Sequence, residues 1–388
     1  MENSKEMIVQ TEEKTVVEAA STEESSETAE KKDARSRKKG KWVKRVFGII
    51  GLALLLLIVC AAIVLYRPVT TVTTVEQVDD GIYRITYNND YKLDKALSAN
   101  ITTEDDFVKF ISDTFFFGIP VKANDDYVAC SAFLTQDEDD QYLTGRNFDY
   151  SETDLLAVYT HPSDGYASIG MAPLASLNVG IKDGIDAMSP LGKALMLAAP
   201  YMCVDGINEK GLMIGVLDLA PPRTRQDTGK PKINTMVAVR MLLDRAATVE
   251  EAVSMLEQYD FNAMSLYSQH LFIADAQGHS VVVEWQLNNT FGEPVGFAMK
   301  VVESPVCTNF WLCDGDPAGK CRRFDTLTSL LAEKPVNSSE DVMAKLEAAS
   351  VKNTQWSCAY SLSDFSVTVS VDNHYDKKFS FSPDSFKK

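Results

Sequence analysis

The chain has 388 residues, 45% of them hydrophobic, and a formal net charge of −17 at pH 7. That length leaves room for one large domain or two ordinary ones. An acidity of this size, with no basic stripe beyond the N-terminal stretch, excludes nucleic acid and anionic membrane surfaces as docking partners of the main body. Residues 1–45 are rich in Glu, Lys, Ser and Thr and poor in large apolar side chains, so they cannot bury enough surface to offset the entropy of ordering, and a disordered tail is expected. Val46 to Tyr66 follows without a charge and includes Leu54-Leu55-Leu56-Leu57-Ile58-Val59, long enough as one helix to span a bilayer core of roughly 30 Å. Lysines and arginines crowd its N-terminal side, from Lys31 to Arg45, whereas only Arg67 follows at once. The positive-inside rule then expects a single-pass membrane protein with its N-terminus cytoplasmic and its main domain extracellular. A cleaved signal peptide is the competing reading, but a leader of about 45 residues is too long for one.

Residues 67–82 read as an extended stalk and 67–129 as stalk and pro-segment, with a strand over Tyr83 to Tyr87 and an amphipathic helix over Asp105 to Phe116. A hairpin over 127–134 and 141–146 comes next, then strands Leu155 to Tyr159 and Ala167 to Met171. Asp205-Gly-Ile-Asn-Glu-Lys-Gly-Leu212 reads as a polar turn feeding the strand Met213 to Leu217. Met236 to Arg245 is helical by period, and Thr248-Val-Glu-Glu251 is a capping box opening a second helix through Gln258. Leu271 to Ala274 and Ser280 to Trp285 form a hairpin around Asp275-Ala-Gln-Gly278. Helices Arg322 to Ala332 and Ser339 to Ala349 follow, the second capped by Ser338 and Asp341, before strands Trp356 to Tyr360 and Ser366 to Val371. Hairpin pairs interrupted by paired helices favour an α+β layer arrangement, antiparallel sheets with helices on their outer faces.

Six cysteines lie beyond the apolar span: Cys130, Cys203, Cys307, Cys313, Cys321 and Cys358. Their spacing is not that of a small disulfide scaffold, so buried free thiols are expected, with a Cys313–Cys321 bridge as the alternative. His161, His270, His279 and His374 are scattered without metal-ligand spacing, and no glycine-rich phosphate loop is present; no metal and no cofactor are expected.

The chemistry concentrates at Cys130. Gly145-Arg146-Asn147-Phe148-Asp149 puts an arginine 16 and a carboxylate 19 residues after it, a spacing that suits a strand, a turn and a returning strand. A thiol needs cationic company of this kind to ionise near neutral pH. Taken alone, Cys130 reads equally as a buried structural thiol, Arg146 and Asp149 as a surface ion pair, and Asn309 as a loop cap.

Cys130, Gly145 to Asp149, Asp205 to Leu212, Cys307-Thr308-Asn309, Arg322-Arg323-Phe324 and Thr354-Gln-Trp-Ser357, in that order, resemble the choloylglycine hydrolase or linear amide C–N hydrolase superfamily over about 128 to 375. The family includes bile salt hydrolases, penicillin V acylases, acid ceramidase and N-acylethanolamine acid amidase. The resemblance implies the αββα four-layer sandwich of N-terminal nucleophile hydrolases, here over 130–388 and preceded by one transmembrane helix over 46–66. It implies a cysteine amidase that hydrolyses a linear, non-peptide C–N bond of an N-acylated small molecule. Because the family nucleophile heads its mature chain and uses its own α-amine as base, the resemblance also implies cleavage of Ala129–Cys130 by the thiol itself. By position, Arg146 steadies the thiolate, Asp149 holds the new α-amine, Asn309 faces the oxyanion and Arg323 braces the site from a helix start. Asp218 matches a site that is often asparagine in bile salt hydrolases, a departure that counts against a bile-salt substrate. The short Asn309–Arg323 spacing and the long segment before Cys130 are more similar to the ceramidase and acid amidase branch. An acyltransferase of the same fold, with an amine as acceptor, is the nearest alternative, and a non-catalytic surface sensor the alternative of another class.

Overall fold

A computed structural model describes residues 3–121, 129–181, 184–264, 266–290, 293–334 and 337–387. It divides into two units, Met1–Tyr66 and Arg67–Lys388. Helix α1 (Asn3–Val72) is continuous. The tail expected to lack order is thus helical from Asn3, in keeping with its many Glu, Lys and Ala residues, which lose little on entering a helix. Within α1, Trp42–Val72 is long and apolar enough to cross a membrane.

Of the stalk expected to be extended over 67–82, the part up to Val72 is helical and Glu76–Asp79 is a strand of the sheet. The end of α1 gives way to β1 (Glu76–Asp79) and β2 (Ile82–Tyr87), followed by α2 (Leu93–Ser98) and α3 (Glu104–Phe115). The N-terminus of α3 is set by Thr103 and Asp106, whose side chains each accept the other's backbone N–H. Then come β3 (Ala129–Gln136), β4 (Tyr142–Asp149), β5 (Leu155–Thr160), β6 (Ser168–Pro173) and the short α4 (Pro190–Leu195). The turn expected at Asp205 begins as a strand, β7 (Asp205–Asn208), and returns as β8 (Met213–Leu219). Next are β9 (Lys232–Asn234), α5 (Thr235–Arg245), α6 (Val249–Leu256), β10 (Asp260–Asn262), β11 (Ser268–Ala274), β12 (Ser280–Thr290), β13 (Glu293–Glu303) and β14 (Val306–Cys307). Helices α7 (Arg322–Glu333) and α8 (Ser339–Ala349) precede β15 (Thr354–Ser361), β16 (Ser366–Val371) and β17 (Phe379–Phe381). At α6 the capping box forms only in half: Thr248 accepts the Glu251 N–H, but the Glu251 carboxylate takes the Ala247 N–H.

Nine strands form one sheet in the order β1-β2-β5-β6-β7-β8-β11-β12-β13, and six form another in the order β14-β3-β4-β15-β16-β17. Within these two sheets pairing is antiparallel except between β2 and β5. Helices α5 and α6 pack on the nine-stranded sheet, α7 and α8 on the six-stranded one, and β3 meets β8 between the sheets. This is the expected αββα sandwich. One apolar cluster fills the space under α2, α3, α5 and α6; a second runs from between the sheets to α7 and α8. All seven cysteines are free thiols.

Candidate active site

The site grows out of the β3–β4 hairpin. Phe133 pairs with Gly145, and its ring occupies the place a Cβ would take there, with Cε1 2.4 Å away. Only glycine admits that ring, which accounts for the first residue of the Gly145-to-Asp149 motif. Register places Cys130 opposite Phe148 and Ala132 opposite Arg146. Directly opposed residues share a face and alternate residues repeat it, so Cys130 and Arg146 point the same way. They turn toward the nine-stranded sheet, where Arg146 Nη2 donates to the Val216 carbonyl at 2.5 Å and Nε lies 3.5 Å from Asp205 Oδ2. Asp149, opposite Ala129, falls on the other face with Asn147, whose Nδ2 donates to the Leu346 carbonyl of α8 at 2.8 Å.

A guanidinium gathers the rest around the Cys130 main chain. Arg323 opens α7, and its Nη1 donates to the Cys130 carbonyl at 2.6 Å and to Asp149 Oδ2 at 2.9 Å. Its Nη2 donates to Asn309 Oδ1 at 2.7 Å. The same Oδ1 accepts the Cys130 N–H at 2.6 Å, and Asn309 Nδ2 donates to the Asp218 carbonyl at 2.8 Å. Cys130, Asp149, Asn309 and Arg323 thus share one hydrogen-bonded cluster, with Arg146 on the thiol's face. Asp218 joins through its main chain; its carboxylate accepts from Gln269 Nε2 at 2.8 Å. In this uncut chain the Cys130 nitrogen is held by Asn309, while the Asp149 carboxylate is taken by Arg323 and by Thr354 Oγ1 at 2.6 Å.

Electrostatics keep the thiol neutral here. Cys130 is fully buried, and burial pushes its pKa from 9.0 up to about 12, against the pull of Arg146; the Asp149 carboxylate adds to the rise. Arg146 is held above its ordinary value: burial opposes its charge, but Cys130, Asp205 and Asp149 outweigh it. Burial also raises the Asp149 carboxyl, with Thr354, Arg323 and Arg146 drawing it back.

Several residues around the site had no role assigned from the sequence. Asp205 looked like part of a turn, yet it is the fully buried counter-charge of Arg146 and accepts from the Tyr360 hydroxyl. Thr354 reaches Asp149 as its direct partner across paired β15 and β4, beside Trp356 stacked on Phe148 with centroids 4.1 Å apart. Glu284, His270 and Cys307, all fully buried, form a chain: His270 Nδ1 lies 3.0 Å from Glu284 Oε1, and Nε2 lies 3.5 Å from Cys307 Sγ. The same carboxylate accepts the N–H groups of Leu312 at 2.8 Å and Cys313 at 3.0 Å. The buried Glu284 thus grips one end of the loop that carries Asn309 directly, and His270, held by Glu284, touches the other at Cys307. No local spacing signals this, because the three residues sit on three different strands. The Asn208 turn makes structural bonds: its amide donates to the Leu243 and Ala246 carbonyls and accepts from Lys210 and Leu212.

Glu250, Asp275 and His279 are close enough to share a metal ion. Asp275, however, already accepts the N–H groups of Val249, Gln277 and His279, which accounts for the grouping as turn chemistry.

Comparison with known proteins bears on the same segment. The family model described as "Linear amide C-N hydrolases, choloylglycine hydrolase family" matches residues 130–290. Penicillin V acylase of Pectobacterium atrosepticum is 30% identical over 171 residues, covering 41% of this chain and 44% of that protein. The chain thus spans less than half the length of this relative. Among solved structures, penicillin V acylase from Agrobacterium tumefaciens aligns with a TM-score of 0.44 at 18% identity, over 66% of this chain and 86% of that one. A conjugated bile acid hydrolase from Clostridium perfringens aligns at 0.45 and 16%, over 66% and 93%. Over residues 130–290, beginning at the buried cysteine, the chain matches the model of the linear amide C-N hydrolases of the choloylglycine hydrolase family.

Proposed function

We propose that this chain is a membrane-anchored, self-cleaving cysteine amidase that hydrolyses the amide of an N-acylated small molecule outside the cell. The observation that carries the reading is the convergence of Asn309 and Arg323 on the Cys130 main chain, Asn309 on its N–H and Arg323 on its carbonyl, with Asp149 bound to the same guanidinium. Cutting proceeds by addition of the Cys130 thiol to the Ala129 carbonyl. The peptide nitrogen leaves with a proton as an α-amine, and water hydrolyses the thioester to a carboxyl group and a free thiol. The amine, titrating near 7.7–8.0 in reference peptides, then serves as the base that the buried thiol lacks. In turnover the thiol attacks the substrate carbonyl, Asn309 steadies the oxyanion, and the protonated amine delivers its proton to the departing nitrogen. Water next releases the acyl group as an acid. Asp149 orients the amine, Arg146 supports the thiolate, Arg323 fixes Asn309 and Asp149, and the Asp218 carbonyl holds the Asn309 amide. The basic cluster before the apolar helix supports a cytoplasmic N-terminus.

The test is N-terminal sequencing of the purified chain together with mass spectrometry on a panel of N-acyl amides that includes penicillin V and a conjugated bile acid. A new terminus at Cys130 and released amine are expected, both lost in Cys130→Ala. Full amidase activity from a chain with Ala129–Cys130 intact would sink the proposal.

A further inference from the structure

The nine-stranded sheet carries a brace for the active site on its far face. Asp218 and Gln269 are direct partners across β8 and β11. On the same strands Leu217 and Phe272 belong to the apolar cluster between the sheets, whereas Val216 and Leu271 belong to the one under the helices. Side chains alternate between faces, so Asp218 and Gln269 turn toward the helix layer, away from Cys130, which lies in the cluster between the sheets. Both are buried, and Gln269 Nε2 donates to Asp218 Oδ1 at 2.8 Å on that outer face. The carboxylate is therefore turned from the reacting atoms. What meets the site is the Asp218 carbonyl, which accepts Asn309 Nδ2 at 2.8 Å.

We infer that Gln269 is a positioning residue for the proposed amidase reaction, on which this rests: it pins Asp218 from behind and thereby aims the Asn309 amide at the oxyanion. Asp218 is the last residue but one of β8, where a ladder is freest to fray, so its carbonyl needs a second hold. An amide nitrogen carries two N–H groups, and anchoring one on that carbonyl orients the other. Gln269 is itself locked. Its Oε1 accepts the Thr235 hydroxyl and the Met264 N–H, the latter at 3.1 Å. An oxygen so occupied leaves Nε2, a donor only, to face the carboxylate. Thr235 heads α5, whose first turn is capped by Asn234 accepting the Val237 N–H at 2.9 Å. The line of contacts thus runs from a helix start through Gln269 and Asp218 to Asn309 and the Cys130 N–H. Removing the Gln269 amide leaves a buried carboxylate short of a donor, which favours a shift of the strand end and of the carbonyl on it.

The experiment uses the full-length chain in detergent and two substitutions. Gln269→Leu, which removes the donor, should lower kcat on an N-acyl amide roughly tenfold and leave KM nearly unchanged, the mark of an interaction felt mainly in the transition state. Gln269→Glu matches the amide in shape but bonds Asp218 only while the two carboxyl groups share a proton. Thr235 and the Met264 N–H, the other groups bonded to this side chain, do not titrate between pH 5 and 9, so the ratio of its kcat to that of wild type should fall as pH rises across that range. A purely structural role would leave the ratio flat. Hydrogen exchange in the uncut Cys130→Ala chain reads the same line of contacts without turnover. The main-chain N–H at position 130 is held by Asn309 Oδ1 at 2.6 Å, and adding Gln269→Leu should speed its exchange severalfold. Wild-type kcat in Gln269→Leu, unchanged exchange, or a kcat ratio that does not move with pH overturns the inference. Should Gln269→Leu fail to fold, Gln269→Glu still decides through its pH profile. If no chain hydrolyses any N-acyl amide while exchange responds as expected, the amidase reading fails and the hold of Gln269 on Asn309 stands.

Discussion

Burial and charge pull the Cys130 thiol in opposite directions, and burial wins while the chain is intact. Arg146 lies on the same face, but the thiol is sealed beneath the hairpin and Asp149 contributes a like charge to the thiolate. A pH dependence follows with a definite sign. The native uncut chain keeps the Cys130 proton to about pH 12, whereas a thiol at its ordinary value loses it near 9.0. Between those values the unfolded chain binds fewer protons than the folded one, so this group's contribution to stability is present below 9.0 and is lost as pH rises toward 12. Iodoacetamide labelling of Cys130 in the uncut chain should accordingly stay slow at neutral pH and climb only in strongly alkaline buffer. Rapid labelling at pH 7 in an uncut, folded chain would refute this. The partners of Cys130, Asp149, Asn309 and Arg323 could be named from the sequence because their order matches a family pattern. That Asn309 takes the Cys130 N–H could not, since nothing local aims an amide 179 residues away.

At the scale of elements, the β3–β4 hairpin and the 307–313 loop do different work. The hairpin sets faces: its register sends Arg146 inward with the thiol and Asp149 outward toward Arg323. The apolar run after Cys130 made it readable, as the turn Asp275-Ala-Gln-Gly278 did β11–β12 and the cap residues Ser338 and Asp341 did α8. The loop is set by a distant anion. Glu284 lies below its ordinary pKa, since burial is outweighed by His270, by the Cys313 thiol and by the Leu312 N–H, and it therefore grips as a carboxylate. Glu284→Gln offers an NH₂ where an acceptor is needed. It should lower stability by roughly 1–3 kcal/mol, the cost of buried groups left unpaired, and should reduce kcat more than KM by letting Asn309 drift. An unaltered thermal midpoint and kcat would remove the clamp from the account. Asp205–Asn208 went unrecognised as a strand because its Asp, Gly and Asn residues carry turn preferences, which sheet pairing on both sides overrides.

For the whole molecule, the segment before Cys130 matters most. It reads as a stalk because it joins an apolar span to a domain, yet β2, α2 and α3 close one flank of the core. A chain of 130–388 expressed alone is therefore expected to fail to fold or to aggregate, and co-expression with 67–129 to rescue it. Circular dichroism and size exclusion check this, and a monodisperse, cooperatively unfolding 130–388 fragment would count against it. By itself the sequence determined the apolar helix, the α+β class, the order of hairpins and paired helices, and the residue types of the site. Each depends on local period, charge or motif order, which the linear chain carries. Only the tertiary structure decided the burial that silences the thiol, the Asp205 and Glu284 counter-charges, and the place of residues 67–121 in the nine-stranded sheet. These depend on which strands become neighbours, a matter of long-range pairing and desolvation that no short stretch of sequence encodes.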